Sequence, residues 1–388
     1  MASEHSLLDR LGGKMATAVF VLTLLAFVVE TELTQYVQTT LGYRQPYFLF
    51  YIVHSSFWII LPLHLIYLTY TTNYSTGALL KGVIRSLSDH LSSGSDGISF
   101  PLRRFSVLVF ILTLGITVPA LLWFIAVSLA SISDVTAIWN TNAFFAYALS
   151  LYFFNLTWQW RPLSAVVVAT IGVTAVVYGG VASPTYDSAS VRNDQLSAPL
   201  IGNLLTLVAS IAYGLYQVLY KKYIALPTSP TSPSHDSYER VPDSEAPTEQ
   251  PSATASAFAY PPPFGLHPNF ITSAVGLCTL ITLWTPLPIL HHSGIEPFRL
   301  PENLQTYLAI SGIALSGVMF NACFMILLGI WGPIITSVGN LLTIVLVFVT
   351  DIFFGPGLEL LTFWSVIGSL MIVVAFSILT YDMSIRAS

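Results

Sequence analysis

Residues 106–129 read SVLVFILTLGITVPALLWFIAVSL, a run of 24 residues without a charged side chain that begins just after Arg103 and Arg104. A helix of about 20 apolar residues crosses the hydrocarbon core of a bilayer, which is about 30 Å thick. Lipid offers no partner for the edge of an open sheet, so such runs are expected to be helical. Ten runs of this kind predict an all-α membrane protein with ten transmembrane helices. The predicted spans are 15–35, 48–71, 106–129, 134–154, 163–182, 200–220, 269–290, 306–329, 333–354 and 361–380.

The composition excludes several classes of protein. Of the 388 residues, 54% are hydrophobic and only 9% are charged, and the mean hydropathy is +0.72, so a water-soluble globular protein is excluded and a lipid bilayer is the expected surrounding. A net charge of −5 with 14 Lys and Arg residues argues against a nucleic-acid partner. Cys278 and Cys323 lie in apolar runs without metal-site spacing. We find no hydrolase, metalloprotease or phosphate-loop motif, so neither an enzyme nor a cofactor is expected.

The distribution of basic residues predicts the topology. If the N-terminus is cytosolic, 11 of the 14 Lys and Arg residues fall on the cytosolic side, which satisfies the positive-inside rule. The termini, residues 1–14 and 381–388, are then cytosolic, and residues 183–199 form a lumenal loop. Residues 227–263 hold nine of the 23 prolines among Ser, Thr and acidic residues, a composition that predicts a disordered cytosolic linker. The loop at 72–100 has a similar composition around Ser92–Gly97 and is expected to behave in the same way.

The ten spans divide five and five, into residues 15–182 and 200–380, and the linker lies inside the second half, after span six. At an offset of 200 residues, Thr136 corresponds to Thr336 and Asn140 to Asn340, and small residues recur in spans five and ten at an offset of 196. Because five is odd, two homologous halves must lie in opposite orientations across the bilayer. The sequence therefore predicts two inverted five-helix repeats, an architecture of secondary transporters. A duplication retained for packing alone is the alternative.

Several segments resemble a known family. They are Glu32-Leu33-Thr34-Gln35-Tyr36 with Arg44-Gln45-Pro46-Tyr47-Phe48, Ser210-Ile211-Ala212-Tyr213-Gly214-Leu215-Tyr216-Gln217 running to Lys221-Lys222, and Gly332-Pro333 through Thr336, Leu342-Thr343-Ile344 and Asp351. Together with the ten spans and the duplicated halves, they resemble the drug/metabolite transporter superfamily. The similarity is to its EamA-type members, in particular the nucleotide-sugar-transporter-like solute carrier 35 F group and the fungal vacuolar or thiamine-repressible proteins. The resemblance implies a ten-helix carrier that works by alternating access in a vacuolar or Golgi membrane.

Polar residues inside the spans are the candidates for a solute path, because ionisable groups are costly in lipid. In span six a polar stripe, which either lines the path or bonds to other helices, includes Ser210, Tyr213 and Gln217. Glu30 and Glu32 point about 200° apart on a helix, so only one of them can face a cavity, and Glu32 lies on the family-like segment. The candidate path residues are Glu32, Thr34, Asn140, Ser210, Tyr213, Gln217, Thr336, Asn340, Thr343 and Asp351.

Lys221 and Lys222 end span six at the predicted cytosolic interface. They either extend to lipid headgroups or attract an anionic solute. The function predicted from the sequence is a multi-pass secondary transporter of a small polar metabolite, coupled to a proton or to an exchanged metabolite, with Glu32 or Asp351 sensing the coupled cation. The alternative is a receptor, channel or sorting scaffold that moves no solute. The sequence does not indicate an oligomeric state.

Overall fold

The computed structural model of the chain describes residues 13–91, 100–130, 132–155, 159–178, 193–226, 259–346, 349 and 363–386. Within these ranges every regular element is a helix. The helices are α1 (Gly13–Gln35), α2 (Pro46–Ser55), α3 (Ile60–Thr71), α4 (Thr76–Leu91), α5 (Leu102–Leu129), α6 (Ile132–Asn140), α7 (Asn142–Phe153), α8 (Trp160–Tyr178), α9 (Asn193–Tyr223), α10 (Leu266–Thr282), α11 (Pro286–Ser293), α12 (Leu304–Asn340) and α13 (Phe363–Arg386). A π-helical turn, Tyr36–Thr40, extends α1, and a 3₁₀ turn, Ser56–Ile59, joins α2 to α3.

Several of these helices are long and apolar enough to cross a membrane. Five segments meet that condition by length and composition among the described residues: Lys14–Thr40, Pro46–Thr71, Leu102–Leu129, Leu200–Tyr223 and Leu304–Leu346. The pair α10 and α11 forms a sixth if its 45° bend is one broken span, and the apolar segments Trp160–Val176 and Val366–Asp382 are shorter. The chain is therefore an all-helical, multi-pass integral membrane protein.

Two long antiparallel contacts build the centre of the bundle. Helix α1 runs antiparallel to α12, because Leu33 packs at Gly312 near one end and Phe20 stacks at 5.2 Å on Trp331 near the other. Helix α5 runs antiparallel to α9. The side chain of Tyr216 lies at Gly115, and Gly202 lies against Ala130.

Two further antiparallel pairs flank the centre. The α2–α3 segment packs along α10 through polar contacts that include Tyr51 Oη to the Leu280 carbonyl, 3.2 Å, and Ser273 Oγ to the Trp58 carbonyl, 2.6 Å. Helix α8 packs along α13, where Gly172 meets Gly368. These glycines let the two backbones approach closely, as small residues do at helix contacts in membranes.

Helix α12 is interrupted at Gly332, which has φ 76° and ψ 175° and precedes Pro333. This is the left-handed region that glycine adopts without steric cost. Phe20 of α1 touches Trp331 before the break and also lies beside Gly339 after it, so the chain turns back on itself between the two contacts. The sequence boundary predicted between spans eight and nine, residues 329 to 333, falls at this turn.

Two predicted disordered segments are partly ordered. The 72–100 loop contains α4, whose Leu79, Val83 and Leu87 recur every four residues and are buried. The prediction was wrong for Thr76–Leu91 because the polar composition concealed this apolar face. The predicted 227–263 linker is too long at its C-terminal end. Ala259 is buried and its backbone N–H donates to the Ala78 carbonyl at 3.1 Å. Residues 227–258 lie outside the described residues.

Candidate functional site

An internal cavity of about 60 Å³ lies where six helices meet. Helices α1, α2, α5 and α6 come from the N-terminal half of the chain, and α9 and α12 from the C-terminal half. The lining residues are Phe27, Glu30, Thr31, His54, Ile116, Ala120, Trp123, Phe124, Trp139, Tyr213, Phe320 and Asn321. Glu30 and His54 are the ionisable groups of this wall that could carry a charge near neutral pH. The cavity is therefore an apolar chamber with one acidic group and one imidazole.

Among the described residues of the cavity wall, Glu30 is the one with a carboxyl group. Its side chain is 9% exposed, and across the described part of the chain it makes no hydrogen bond or ion pair. Ala26, Glu30 and Thr34 recur every four residues on α1 and are all buried, so this face of α1 looks toward the bundle. A Cβ on Gly317 of α12 would lie 3.1 Å from Glu30 Oε1, so the Glu30 carboxyl group lies close to the α12 backbone.

His54 lies opposite on α2 and is held in place by its neighbours. Its Nδ1 is 3.2 Å from the Phe50 carbonyl, and its ring packs at 4.9 Å on Phe50 and 4.8 Å on Phe57. When Nδ1 donates to that carbonyl, the ring is in the tautomer that leaves Nε2 as an acceptor. His54 is thus fixed by ring packing and at the same time forms part of the cavity wall.

A group of polar side chains, which we call the polar joint, connects α7, α9 and the part of α12 after Gly332. Gln217 Nε2 donates to Asn142 Oδ1 at 3.4 Å, and Ser337 Oγ donates to Gln217 Oε1 at 2.6 Å. Two turns away along α9, the hydroxyls of Thr141 and Ser210 are 2.9 Å apart. Ser210 and Gln217 therefore hold helices together, which is the second of the two roles that the sequence left open for this stripe.

The other candidate path residues from the sequence, in both halves of the chain, lie in different surroundings. Tyr213 lines the cavity and stacks on Trp139 at 4.9 Å, whereas Thr34 and Thr343 turn back to carbonyls of their own helices, at 2.6 and 2.7 Å. Asn140, Thr336 and Asn340 are buried, and each has a side-chain oxygen without a hydrogen-bond partner among the described residues. Glu32 lies on the exposed face of α1, away from Glu30. Asp351 lies outside the described residues.

Both lysines at the end of α9 bind carbonyl groups at the ends of other helices. Lys221 Nζ donates to the Gly329 carbonyl just before the break at Gly332, and Lys222 Nζ donates to the Phe153 carbonyl at 2.8 Å. The Lys222 ammonium also lies 5.4 Å from the ring centres of Phe153 and Tyr223. Cations stabilise the negative C-terminal ends of helices, so these contacts give both lysines a structural role.

At the opposite end of the bundle, a carboxylate from one loop caps a helix from another. Pro46 begins α2, and the next two backbone N–H groups, of Tyr47 and Phe48, each donate to the Glu296 carboxylate at 3.0 Å. Burial raises the pKa of the Glu296 carboxyl, and these two hydrogen bonds oppose part of that rise. The Arg299 carbonyl accepts from Tyr43 Oη at 2.7 Å, which holds the same two loops together.

Two larger concavities lie outside the centre. One of about 410 Å³ lies between α2–α3 and α12, and its wall includes Leu63 and Leu315, which are 52% and 66% exposed. It opens onto the apolar outer surface that lipid covers. The other, of about 350 Å³, lies beneath the loops that carry Arg44 and Arg299. The central cavity is the one that encloses a buried carboxylate, and we take it as the candidate site.

Sequence reasoning missed part of this site. It preferred Glu32 to Glu30 because Glu32 lies on a family-like segment, although it placed only one of them on the cavity side. The four-residue spacing of Ala26, Glu30 and Thr34 was the signal that could have identified Glu30. The aromatic wall carried no such signal, because Phe and Trp are common on both lipid-facing and buried surfaces of membrane helices.

Comparison with known proteins gives a distant relative and a shared fold. No protein-family model matches the chain. A protein of Schizosaccharomyces pombe named as an uncharacterized transporter is 25% identical over 271 residues, which cover 68% of this chain and 66% of that protein, just under two thirds of its length. A protein of known crystal structure superposes with a TM-score of 0.53 over 96% of this chain and 99% of its own, at 12% identity. The chain is thus similar in sequence to a yeast protein named as a transporter, and it has the fold of a solved structure.

Proposed function

We propose that the chain is a secondary transporter that moves a small polar solute by alternating access through the central cavity. The observation that carries this proposal is the cavity itself, a chamber between helices of both halves that contains a carboxyl group without a partner among the described residues. A carboxylate buried in a membrane protein without a partner is costly, and such groups commonly belong to solute or ion pathways. The similarity to the yeast protein named as a transporter supports the same reading.

The proposed inverted repeat is supported by how the helices pair. A two-fold axis in the membrane plane would exchange α1 with α9, and α5 with the part of α12 before Gly332. The contact of α1 with α12 would then correspond to the contact of α9 with α5, and both are long antiparallel contacts. The same axis would map the α8–α13 pair and the pair of α2–α3 with α10 onto themselves. Under this proposal the ten spans form two five-helix halves.

A local irregularity at an offset of 200 residues supports the same axis. Spans four and nine are each interrupted by one turn, at Thr141 and at Leu341. The N–H of Thr141 donates to the Ile138 carbonyl and the N–H of Leu341 donates to the Val338 carbonyl, both at 3.1 Å. Each turn directly follows an asparagine, Asn140 or Asn340, whose Oδ1 is buried without a partner. Both residues keep right-handed helical backbone angles, so each turn is a local tightening of a helix at equivalent positions of the two proposed halves.

Membership of the drug/metabolite transporter superfamily, with an EamA-type fold, is part of the proposal and rests on the segments quoted above. The proposal also includes cytosolic termini, which the distribution of Lys and Arg supports, and a vacuolar or Golgi location, which the resemblance implies. We expect the two halves to rock against each other so that the cavity opens to one side at a time.

The test is a thermal-stability screen of the detergent-purified chain, because a ligand that binds only the folded state raises the melting temperature. The panel contains nucleotide sugars, nucleotides, thiamine, amino acids and polyamines. Ala120→Trp fills the cavity, and Val118→Trp, at a position on the same helix that is 46% exposed, is the matched control. We expect a ligand of the wild type to stabilise the control but not Ala120→Trp, and to show saturable counterflow in vesicles.

A ligand that stabilises all three proteins equally would place its binding site outside the cavity. Flux that rises linearly with concentration and shows no counterflow would replace the carrier with a channel. Binding without any flux would favour a receptor or a sorting scaffold.

A further inference from the structure

The central cavity has an unusual chemical composition for a chamber that would take a polar metabolite. Half of its lining residues are aromatic, and they come from five different helices. These residues are Phe27, Trp123, Phe124, Trp139, Tyr213 and Phe320. Several stack on one another, with ring centres 5.0 Å apart for Phe27 and Phe320 and 4.9 Å apart for Trp139 and Tyr213. The wall is thus an aromatic enclosure.

The acid inside this enclosure is Glu30, which carries a negative charge when it ionises. Neither Lys nor Arg is among the described lining residues. The described lysines nearest to this region in sequence, Lys221 and Lys222, bind helix-end carbonyls. An anionic solute such as a nucleotide phosphate would therefore meet a carboxyl group and, apart from the His54 imidazole, no described group of the wall that can carry a positive charge, at a large electrostatic cost in this apolar interior.

A small organic cation satisfies both features. The faces of Trp, Tyr and Phe attract a cation through the ring quadrupole, and the attraction strengthens where water is excluded. The Glu30 carboxylate supplies the opposite charge that its burial requires. Amines and quaternary ammonium groups are the cations that combine a positive charge with an apolar surface suited to such walls.

Two further polar atoms of the cavity wall indicate which hydrogen-bonding group the ligand carries. Trp139 Nε1 and Thr31 Oγ1 are buried and have no hydrogen-bond partner among the described residues, and both residues line the cavity. An indole N–H can only donate, and a hydroxyl can donate. A ligand that carries an oxygen acceptor a few bonds from its cationic group would satisfy them.

We propose that the cavity binds a small organic monocation, an amine or quaternary ammonium compound with an oxygen acceptor, with its charge against Glu30 and its acceptor toward Trp139. This inference names the solute class of the transporter proposed above and therefore rests on that function. Glu30 is the binding carboxylate, and the aromatic rings enclose the cationic group.

The test compares choline with 3,3-dimethyl-1-butanol, its neutral isostere, by calorimetric titration of the full chain in nanodiscs. Choline is expected to bind and the isostere to bind at least about tenfold more weakly, which corresponds to about 1.4 kcal/mol. Glu30→Gln is expected to lose at least this factor for choline only. The variant should fold, because it removes a charge that is buried without a partner. Glu32→Gln, on the exposed face of the same helix, should bind as the wild type does.

Trp139→Phe keeps an aromatic face but removes the N–H donor, so it should weaken choline and leave tetramethylammonium, which has no acceptor, unchanged. Equal binding of choline and its isostere, unchanged binding by Glu30→Gln, or no binding of choline or tetramethylammonium at millimolar concentration would overturn the inference. The two proposals fail separately. A cavity that is accessible from both sides of the membrane but binds no cation would leave transport standing, and cation binding in a cavity that never changes sides would refute transport alone.

Discussion

Gly172 of α8 and Gly368 of α13 pack against each other reciprocally. A Cβ on Gly172 would lie 2.7 Å from the Gly368 carbonyl oxygen, and a Cβ on Gly368 would collide with the Gly172 carbonyl oxygen in the same way. The two residues were paired in the sequence at an offset of 196. A two-fold axis through the α8–α13 pair would produce a reciprocal contact of this kind.

This contact predicts a cost for even one methyl group. Gly172→Ala should force the two helices apart and destabilise the fold by about 1–3 kcal/mol, the range for overpacking. The control is Gly329→Ala in α12, where a Cβ would meet nothing within 4 Å. We expect the melting temperature in detergent to fall for Gly172→Ala and to stay unchanged for the control. Equal melting temperatures would show that α8 and α13 are not in close contact.

The polar joint predicts a measurable coupling between Gln217 and Ser337. Hydrogen bonds between membrane helices contribute about 0.6 kcal/mol on average and at most about 1.7 kcal/mol. A double-mutant cycle with Gln217→Ala and Ser337→Ala should return a coupling energy in that range from reversible unfolding in mixed micelles. Strictly additive effects would mean that the two side chains do not interact. We also expect Gln217→Ala to reduce flux at normal membrane abundance, because the joint connects the two halves.

The carboxylate cap on α2 predicts that two acidic residues of one loop contribute differently to the stability of the fold. Glu296→Ala removes the acceptor of the Tyr47 and Phe48 N–H groups and should cost about 0.5–2 kcal/mol, as the loss of a helix cap does. Glu302→Ala, at an exposed position of the same loop, should leave the stability unchanged. Thermal unfolding of both variants checks this. An unchanged melting temperature for Glu296→Ala, or an equal decrease for Glu302→Ala, would show that Glu296 does not stabilise α2 as a cap.

The sequence was sufficient for the helical class and for most helix positions, because apolar runs of membrane-spanning length carry that information directly. Residues 106–129 lie inside α5, and the boundary near residue 330 falls at the Gly332 turn. Helix α4 was missed because its apolar positions are spaced every four residues among polar ones, and composition averages over that spacing. The count of ten spans and the inverted repeat stay predictions, supported by the pairing of α1 with α12 and of α5 with α9.

The candidate site was harder to predict from the sequence than the helices were. The stripe on α9 was recognised as a face turned away from lipid, and Ser210, Tyr213 and Gln217 are all buried. Which of these side chains bonds to another helix and which lines a cavity depends on the neighbouring helix, and periodicity within one helix does not contain that information. The choice between Glu30 and Glu32 required knowing which face of α1 meets α12.

The most direct test of the central claim is the two-sided accessibility of the cavity. Cys278 and Cys323, both free thiols, are replaced by alanine, and Ala120→Cys or Val118→Cys is introduced. Sealed vesicles are then treated with a charged, membrane-impermeant methanethiosulfonate reagent from either side. Alternating access predicts that the cysteine at position 120 reacts from both sides and that the one at 118, facing lipid, reacts from neither. Reaction at position 120 from one side only, or from neither, would contradict the claim that this cavity carries a solute across the membrane.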